Sequence, residues 1–509
     1  MKLNLKDKKI NIIVTSVILA LALVITVITG VQFKQFSNYE TQFYTQDVDE
    51  VLHSSQYSPS LKGSVGDSEI YVKYGNQNTV LVAKADKAGS FASLTSTTKI
   101  AGVQGSTQLA VAQTNLVDNV IEEKSSATEV ISALNANTVD VAVLAYSEAR
   151  EGIKNGTLAV LPIEVEKVPS ILVMGGTHPN EPSGQMTAVM FLENAVVERG
   201  ILYVMTEVNK SAFTHSQPQE ATTWYYDLET ASGKTRTFKY GSRATNTNEQ
   251  WPNPDVYVHS SGQNLSSTEV RNLNRAYPGS ATGNYTERVA FAVAEFIRQN
   301  DVTIVVDLHE ASPEYITINA IVAHDDAMDM AGYAKDWVMD LYSATTADGK
   351  SINGVNIGIE KSPLQMHGLT HRELGDYTNA YVFLAETSNA SQGKLRGAFT
   401  ESLITYYEVD KFYEFAAGLD EKHGTKLLYA RPVSLDERVA RHVFSIQSII
   451  QAFNEDAGCK SRVVRVTAES RQDQIGTGGE YLGELIINGM REYVEYIDYG
   501  VGYYLKDLA

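Results

Sequence analysis

His178 and Glu181 stand three residues apart in GGTHPNEPSG. One turn can therefore aim an imidazole nitrogen and a carboxylate oxygen at a common point about 2 Å from each, as a zinc ion requires. By itself an HxxE spacing arises by chance in many proteins. A third candidate, His309, ends the run TIVVDLHEA, and a His2Glu set that leaves the fourth position to water marks a catalytic rather than a structural zinc site. Asp307 precedes His309 by two residues and projects to the same face of a strand. It is a candidate acceptor that fixes an imidazole tautomer, or else a cap for the next turn. Glu386 ends NAYVFLAETS. Hydrolysis at a zinc site needs such a carboxylate to take a proton from water and return it to the leaving nitrogen. An acid closing an otherwise buried run is hard to read as an ordinary solvent-facing residue.

A second group of residues suits the binding of an anion. Asn274 and Arg275 in RNLNRAYPG place an amide donor beside a planar fork that matches a carboxylate. A solvated basic loop on an acidic protein is the plainer alternative. Arg271 in the same loop and Arg243 in YGSRATN compete to face a developing oxyanion. Asn209 and His215 in VNKSAFTHSQPQE could line a pocket, and His367 and His371 in QMHGLTHREL have the spacing of another metal pair. With one metal site already filled, the last two read as lid or surface residues.

The elements that must present these groups are legible as apolar runs. SILVMGG, TIVVDLHEA and NAYVFLAETS each run apolar and end polar, as buried strands do at their carboxyl ends, and ligands of open α/β sheets collect there. Upstream, EIYVKY, TVLVAKA and KIAGVQ alternate with helical patterns and predict a separate α/β layer. Ser434 and Glu437 fit a capping box opening an amphipathic helix that packs on the core, and REYVEYIDYGVGYYL alternates as strands of a small β appendage do.

Composition bounds the function classes. The 509 residues carry 42 basic and 61 acidic side chains, a net charge of −19, which opposes the phosphate neutralisation that nucleic-acid binding requires. No nucleic-acid partner is expected. Cys459 is the only cysteine, which rules out an internal disulfide and thiolate-rich metal sites. Residues 10–33 carry no charge and are long enough to span a bilayer, and Lys2, Lys6, Lys8 and Lys9 precede them. The charge step keeps the short end inside and the bulk outside. A cleaved signal peptide fits less well, because the run is long and lacks a clear cleavage site.

Taken together, GGTHPNEPSG, RNLNRAYPG, VVDLHEA and LAETS resemble the zinc carboxypeptidase superfamily, and most closely its succinylglutamate desuccinylase/aspartoacylase branch, over residues 166–420. The resemblance implies a mixed sheet flanked by helices and one zinc ion per chain. It assigns His178, Glu181 and His309 as metal ligands, Asn274 and Arg275 as the carboxylate-binding pair, and Glu386 as the general base. It leaves the oxyanion arginine open between Arg271 and Arg243. Residues 99–162, with Gly105-Ser106-Thr107, Ala133-Leu134 and Val139-Asp140-Val141, resemble one lobe of the extracytoplasmic solute-binding proteins. One lobe alone reads as a scaffold or docking module.

The expected organisation is a basic cytoplasmic tail (1–9), a transmembrane anchor (10–33), a stalk (34–64), the solute-binding-like lobe (65–165), a zinc hydrolase domain (166–455) and a β-rich appendage (456–509). The expected function is an α/β, membrane-anchored, outward-facing amidohydrolase that deacylates an N-acyl amino acid or a similar small carboxylate. A metallocarboxypeptidase acting on peptides or cell-wall stems, and a catalytically silent binding or sensor protein, are the alternatives.

Overall fold

In the computed structural model, the runs that lead to His178 and that end in His309 and Glu386 lie side by side in one sheet. The structure describes residues 52–53, 69–163, 165–166, 168–216, 225–313, 315, 319–342, 357–389, 391–392, 400–405, 434–455, 484–490 and 500–507. The segments expected to form a tail, an anchor, nearly all of a stalk and most of a β-rich appendage fall outside them. Among the described residues no helix is long and apolar enough to cross a membrane.

The eight strands follow the order Leu52–His53, Tyr71–Tyr74, Ile201–Met205, Ser170–Met174, Ile304–Ala311, Tyr381–Ser388, Ala320–Ala323, Gly358–Lys361. The middle four are mutually parallel, so their carboxyl ends share one edge. Tyr71–Tyr74 and Ala320–Ala323 run antiparallel to their inner neighbours, which makes the sheet mixed, as expected. Leu172, Met174, Val305 and Val382 pack with Val289, Val293, Phe296 and Ile297 of the helix Tyr285–Gln299. Residues that alternate with them point the other way. There the helix Pro182–Asn194 lies against the sheet and is covered by Leu435–Glu455. Sandwiched in this way, it is apolar on most of its circumference and buried along nearly its whole length. Gly184 makes the contact possible, because a Cβ there would sit 2.5 Å from the Leu308 carbonyl oxygen.

The upstream lobe has its own five-stranded sheet, ordered Ile121–Lys124, Ile100–Val103, Val141–Ala145, Thr79–Lys84, Leu158–Val160. Apolar clusters cover both of its faces. Ser106 caps the helix Thr107–Asn115, its Oγ accepting from the Leu109 amide at 3.0 Å. The strand in EIYVKY does not belong to this lobe. Tyr71–Tyr74 joins the large sheet, and Lys73 donates from Nζ to the Ala195 carbonyl at 2.7 Å, at the end of the helix Pro182–Asn194. A strand's own sequence does not name its partner, so a boundary at residue 65 missed this stitch.

Near the C-terminus, Ser434 Oγ accepts from the Glu437 amide at 3.2 Å, opening the helix Leu435–Glu455 as expected. The Glu437 carboxylate turns instead to Arg441, 2.6 Å away, so only half of the capping box forms. Ile486–Asn488 pairs with Val196–Arg199. Gly500–Tyr504 corrects the expectation of strand, being helical; the Val501 amide donates to Asp436 Oδ1 at 2.7 Å. That tertiary contact overrides an alternating pattern too short to decide by itself.

Candidate metal centre

Three segments converge at the carboxyl edge of the sheet. Beyond Met174, Gly175 and Gly176 turn the chain, and Gly176 takes a positive φ of 74° that carries Thr177 and His178 back over the sheet. Glu181 stands at the head of the helix Pro182–Asn194. His309 lies on the neighbouring strand, directly in register with Glu386 on the next. Parallel partners in register project to one face, so Glu386 and His309 share it.

The Glu181 carboxylate sits between the two imidazoles. Its Oε1 is 2.8 Å from His178 Nδ1 and its Oε2 is 2.9 Å from His309 Nδ1. All three side chains are buried, and the rings meet edge to face with centroids 4.8 Å apart. The far nitrogens decide which atoms are left to bind. His178 Nε2 is 2.8 Å from Asn272 Oδ1, and that oxygen is identified by the Asn274 amide, which donates to it at 3.0 Å, and by Asn272 Nδ2, which donates to Glu269 at 2.6 Å. His178 Nε2 is therefore the protonated nitrogen and Nδ1 carries the lone pair. His309 Nε2 donates to Asp307 Oδ2 at 2.8 Å, and Asp307 also accepts from Thr177 Oγ1 at 2.8 Å and from the Thr370 hydroxyl. Asp307 thus fixes the tautomer of His309 itself, one of the alternatives left open above.

Two imidazole nitrogens and a carboxylate directed at one another fit a cation. The electrostatics agree. Burial opposes a charge on His309, yet Asp307 and Glu181 outweigh it and raise its pKa well above the usual imidazole range, so the two carboxylates draw positive charge to this point and a metal bound there would take the place of the Nδ1 proton. Burial, aided by Arg243, lowers His178 and keeps it neutral, as a ligand must be. Glu181 is held well below the usual carboxylate range, the two histidines outweighing its own desolvation. Among the described residues these three form the one group of such side chains placed to hold a metal ion. His367 and His371 do not form a second. His371 is buried, contrary to a surface reading, and faces Ser362 Oγ at 2.8 Å; burial drives its pKa down to about 3. His367 is partly exposed and pairs with Glu373 at 2.7 Å.

The arginines separate cleanly. Arg243 Nη1 lies 3.3 Å from Glu181 Oε1, at the edge of the cluster. Arg271 is buried and turned away, with Nη1 donating to the Thr245 carbonyl at 2.6 Å and Nε to Asn253 at 2.9 Å. It ties two loops together, and the spacing of Arg271 to Asn274 carried no sign of that. Arg275 keeps its side chain 20% exposed, donates to the Asn274 carbonyl at 2.6 Å, and lies 3.7 Å from Glu269. Asn274 is buried and accepts from the Thr370 amide at 2.8 Å, so Thr370 links the Asn274 loop to Asp307. Asn209 caps a turn by accepting from the Ala212 amide at 3.3 Å, and His215 Nε2 lies 2.6 Å from the Ala244 carbonyl; both belong to the wall behind Arg243.

Sequence reasoning missed Asn272, Thr370, Glu310 and Arg438. Glu310 donates its amide to Glu181 Oε2 at 3.0 Å, and its own carboxylate accepts from the Ser183 amide at 3.3 Å and from Asn389 Nδ2 at 2.9 Å. Arg438, from the helix Leu435–Glu455, stands 3.1 Å from its other oxygen. Asn272 was the one with a usable signal, since it lies two residues before Asn274 within the quoted motif. Groups that hold a ligand histidine are worth about 10- to 100-fold in metal affinity. If the cluster holds a metal ion, Asn272→Ala is expected to weaken its binding by that factor in a chelator competition, and unchanged affinity would remove the role assigned to its amide.

No protein-family model matches the chain, and no curated protein matches it in sequence. Among solved structures the chain is similar to the tripeptide-bound cell shape determinant Csd4 of Helicobacter pylori, at 12% identity and TM-score 0.31, over 57% of this chain and 52% of that one. It is similar to a succinylglutamate desuccinylase from a Silicibacter species at 12% identity and TM-score 0.27, over 53% and 60% of the two chains. A succinylglutamate desuccinylase/aspartoacylase from Rhodobacter sphaeroides matches at 14% identity and TM-score 0.25, over 52% and 59%. The chain therefore spans between 52% and 60% of the length of these structures.

Proposed function

We propose that the chain is a zinc-dependent hydrolase that cleaves an amide bond beside a free carboxylate, with N-acyl amino acids or similar small amides as substrates. One observation carries the reading: two imidazole Nδ1 atoms and a carboxylate converge, each fixed by a buried partner, with Glu386 in register beside them. When bound by His178, Glu181 and His309, zinc supplies Lewis acidity toward a water and a carbonyl. Glu386 takes the proton from the attacking water and hands it to the leaving nitrogen. Asn274 and Arg275 grip the substrate carboxylate and set the scissile bond against Glu386. Of the two arginines, this reading takes Arg243 to meet the oxyanion, supported by its position beside Glu181, while Arg271 is bonded to Thr245 and Asn253. Residues 10–33 would tether this activity to a membrane with the hydrolase outside, and the upstream lobe would hold it off the surface.

The test is elemental analysis of the purified protein and of its His178→Ala variant, joined to a panel of N-acyl amino acids and peptides. About one zinc per chain, lost in the variant, and release of free amino acid from the acyl substrates are expected. Cleavage confined to peptides would make the chain a carboxypeptidase instead. A metal-loaded protein that hydrolyses nothing would make it a binding protein.

A further inference from the structure

The arginine that grips the substrate carboxylate has a carboxylate of its own for a neighbour. Glu269 Oε2 lies 3.7 Å from Arg275 Nε, on the same short loop. That oxygen also accepts from Asn272 Nδ2 at 2.6 Å, which pins the side chain. Oε1 has no hydrogen-bond partner among the described residues, and the Glu269 side chain remains 29% exposed. Nothing in the anchoring of Asn272 calls for a charge, because a neutral amide oxygen would accept the same hydrogen bond. An ionised acid beside a carboxylate clamp instead weakens the clamp for a plain anion, since the two carboxylates repel. The arrangement is favourable when the group that enters brings a positive charge along with its carboxylate.

We propose that Glu269 is a specificity-determining residue, and that the amino acid released from this site carries a side-chain ammonium as well as its carboxylate. The assignment rests on the function proposed above. Arg275 takes the carboxylate and Glu269 Oε1 takes the ammonium, so that a substrate lacking the amine leaves Glu269 and the incoming anion to share the single positive charge of Arg275. A substrate ending in a second carboxylate meets direct repulsion.

The test compares Nα-acetyl-ornithine, Nα-acetyl-norvaline and Nα-acetyl-glutamate on the zinc-loaded full chain and its Glu269→Gln variant. A hydrogen bond between charged groups sustains about tenfold discrimination. The wild type is expected to favour the ornithine substrate over the norvaline one by that factor in kcat/KM and to disfavour the glutamate one. In Glu269→Gln the preference collapses while zinc content holds, since the amide oxygen of the introduced side chain still accepts from Asn272. A preference unchanged by the substitution, or no preference in the wild type, overturns the proposal. Calorimetry with free ornithine and norvaline keeps this separate from the hydrolase reading. If no amide is cleaved, the hydrolase reading falls, while tighter binding of ornithine that is lost in Glu269→Gln still supports Glu269 and equal binding overturns it.

Discussion

Glu386→Gln is expected to keep its zinc and lose about 10²- to 10⁴-fold in kcat, the range that a positioned general base contributes. The substitution preserves shape and removes only the capacity to accept a proton. Glu386 suits the task because burial, the largest influence, pushes its carboxyl up to about 7, with Glu181 adding to the rise while His309 and Arg243 oppose it. A base is effective when ionised yet still proton-seeking near the working pH. The sign follows: activity is present above that pKa and is lost as pH falls through it. A bound cation beside Glu386 adds positive charge and moves the acid limb below about 7. The wild-type profile of kcat/KM should therefore fall on the acid side, and the residual activity of Glu386→Gln should lack that limb. A variant that retains both the rate and the limb would mean that another group carries the proton.

The second large effect is on stability. Arg438 and Glu310 form a buried pair 3.1 Å apart, with side chains 1% and 0% exposed. Burial raises the Glu310 carboxyl, and Arg438 is the main influence pulling it back. Removing one partner strands a charge in the interior at a cost of about 3–5 kcal/mol, whereas removing both is often close to neutral. Arg438→Met is expected to lower the unfolding free energy by about that amount in urea titrations followed by circular dichroism, and Glu310→Gln with Arg438→Met to recover most of it. The effect should reach the metal centre, because Glu310 also holds the amide of Ser183, two residues after Glu181. A single variant as stable as wild type would show the pair to be better hydrated than its burial implies.

The parts of the site that could be read in advance share one property: each is announced by a local pattern. His178 and Glu181 lie three residues apart, and His309 and Glu386 each close an apolar run, so strand periodicity and carboxyl-end placement were enough to nominate them. The cap at Ser434 and the helix behind it were legible for the same reason. Thr370 and Arg438 were not, because each acts through a partner 63 or more positions away, and no spacing within a motif encodes that; Asn272 showed itself only as a neighbour of Asn274, its bond to His178 being equally remote.

What the sequence determined by itself is the set of chemical groups, the runs that present them and the net negative charge of the chain, since hydrophobic period and residue type are local quantities. Only the tertiary structure decided which nitrogen of each histidine faces Glu181, which arginine stands beside that carboxylate and which ties loops, and which sheet Tyr71–Tyr74 completes. Those choices depend on hydrogen bonds and packing between distant segments, and a buried polar group takes its role from whichever partner the fold brings to it.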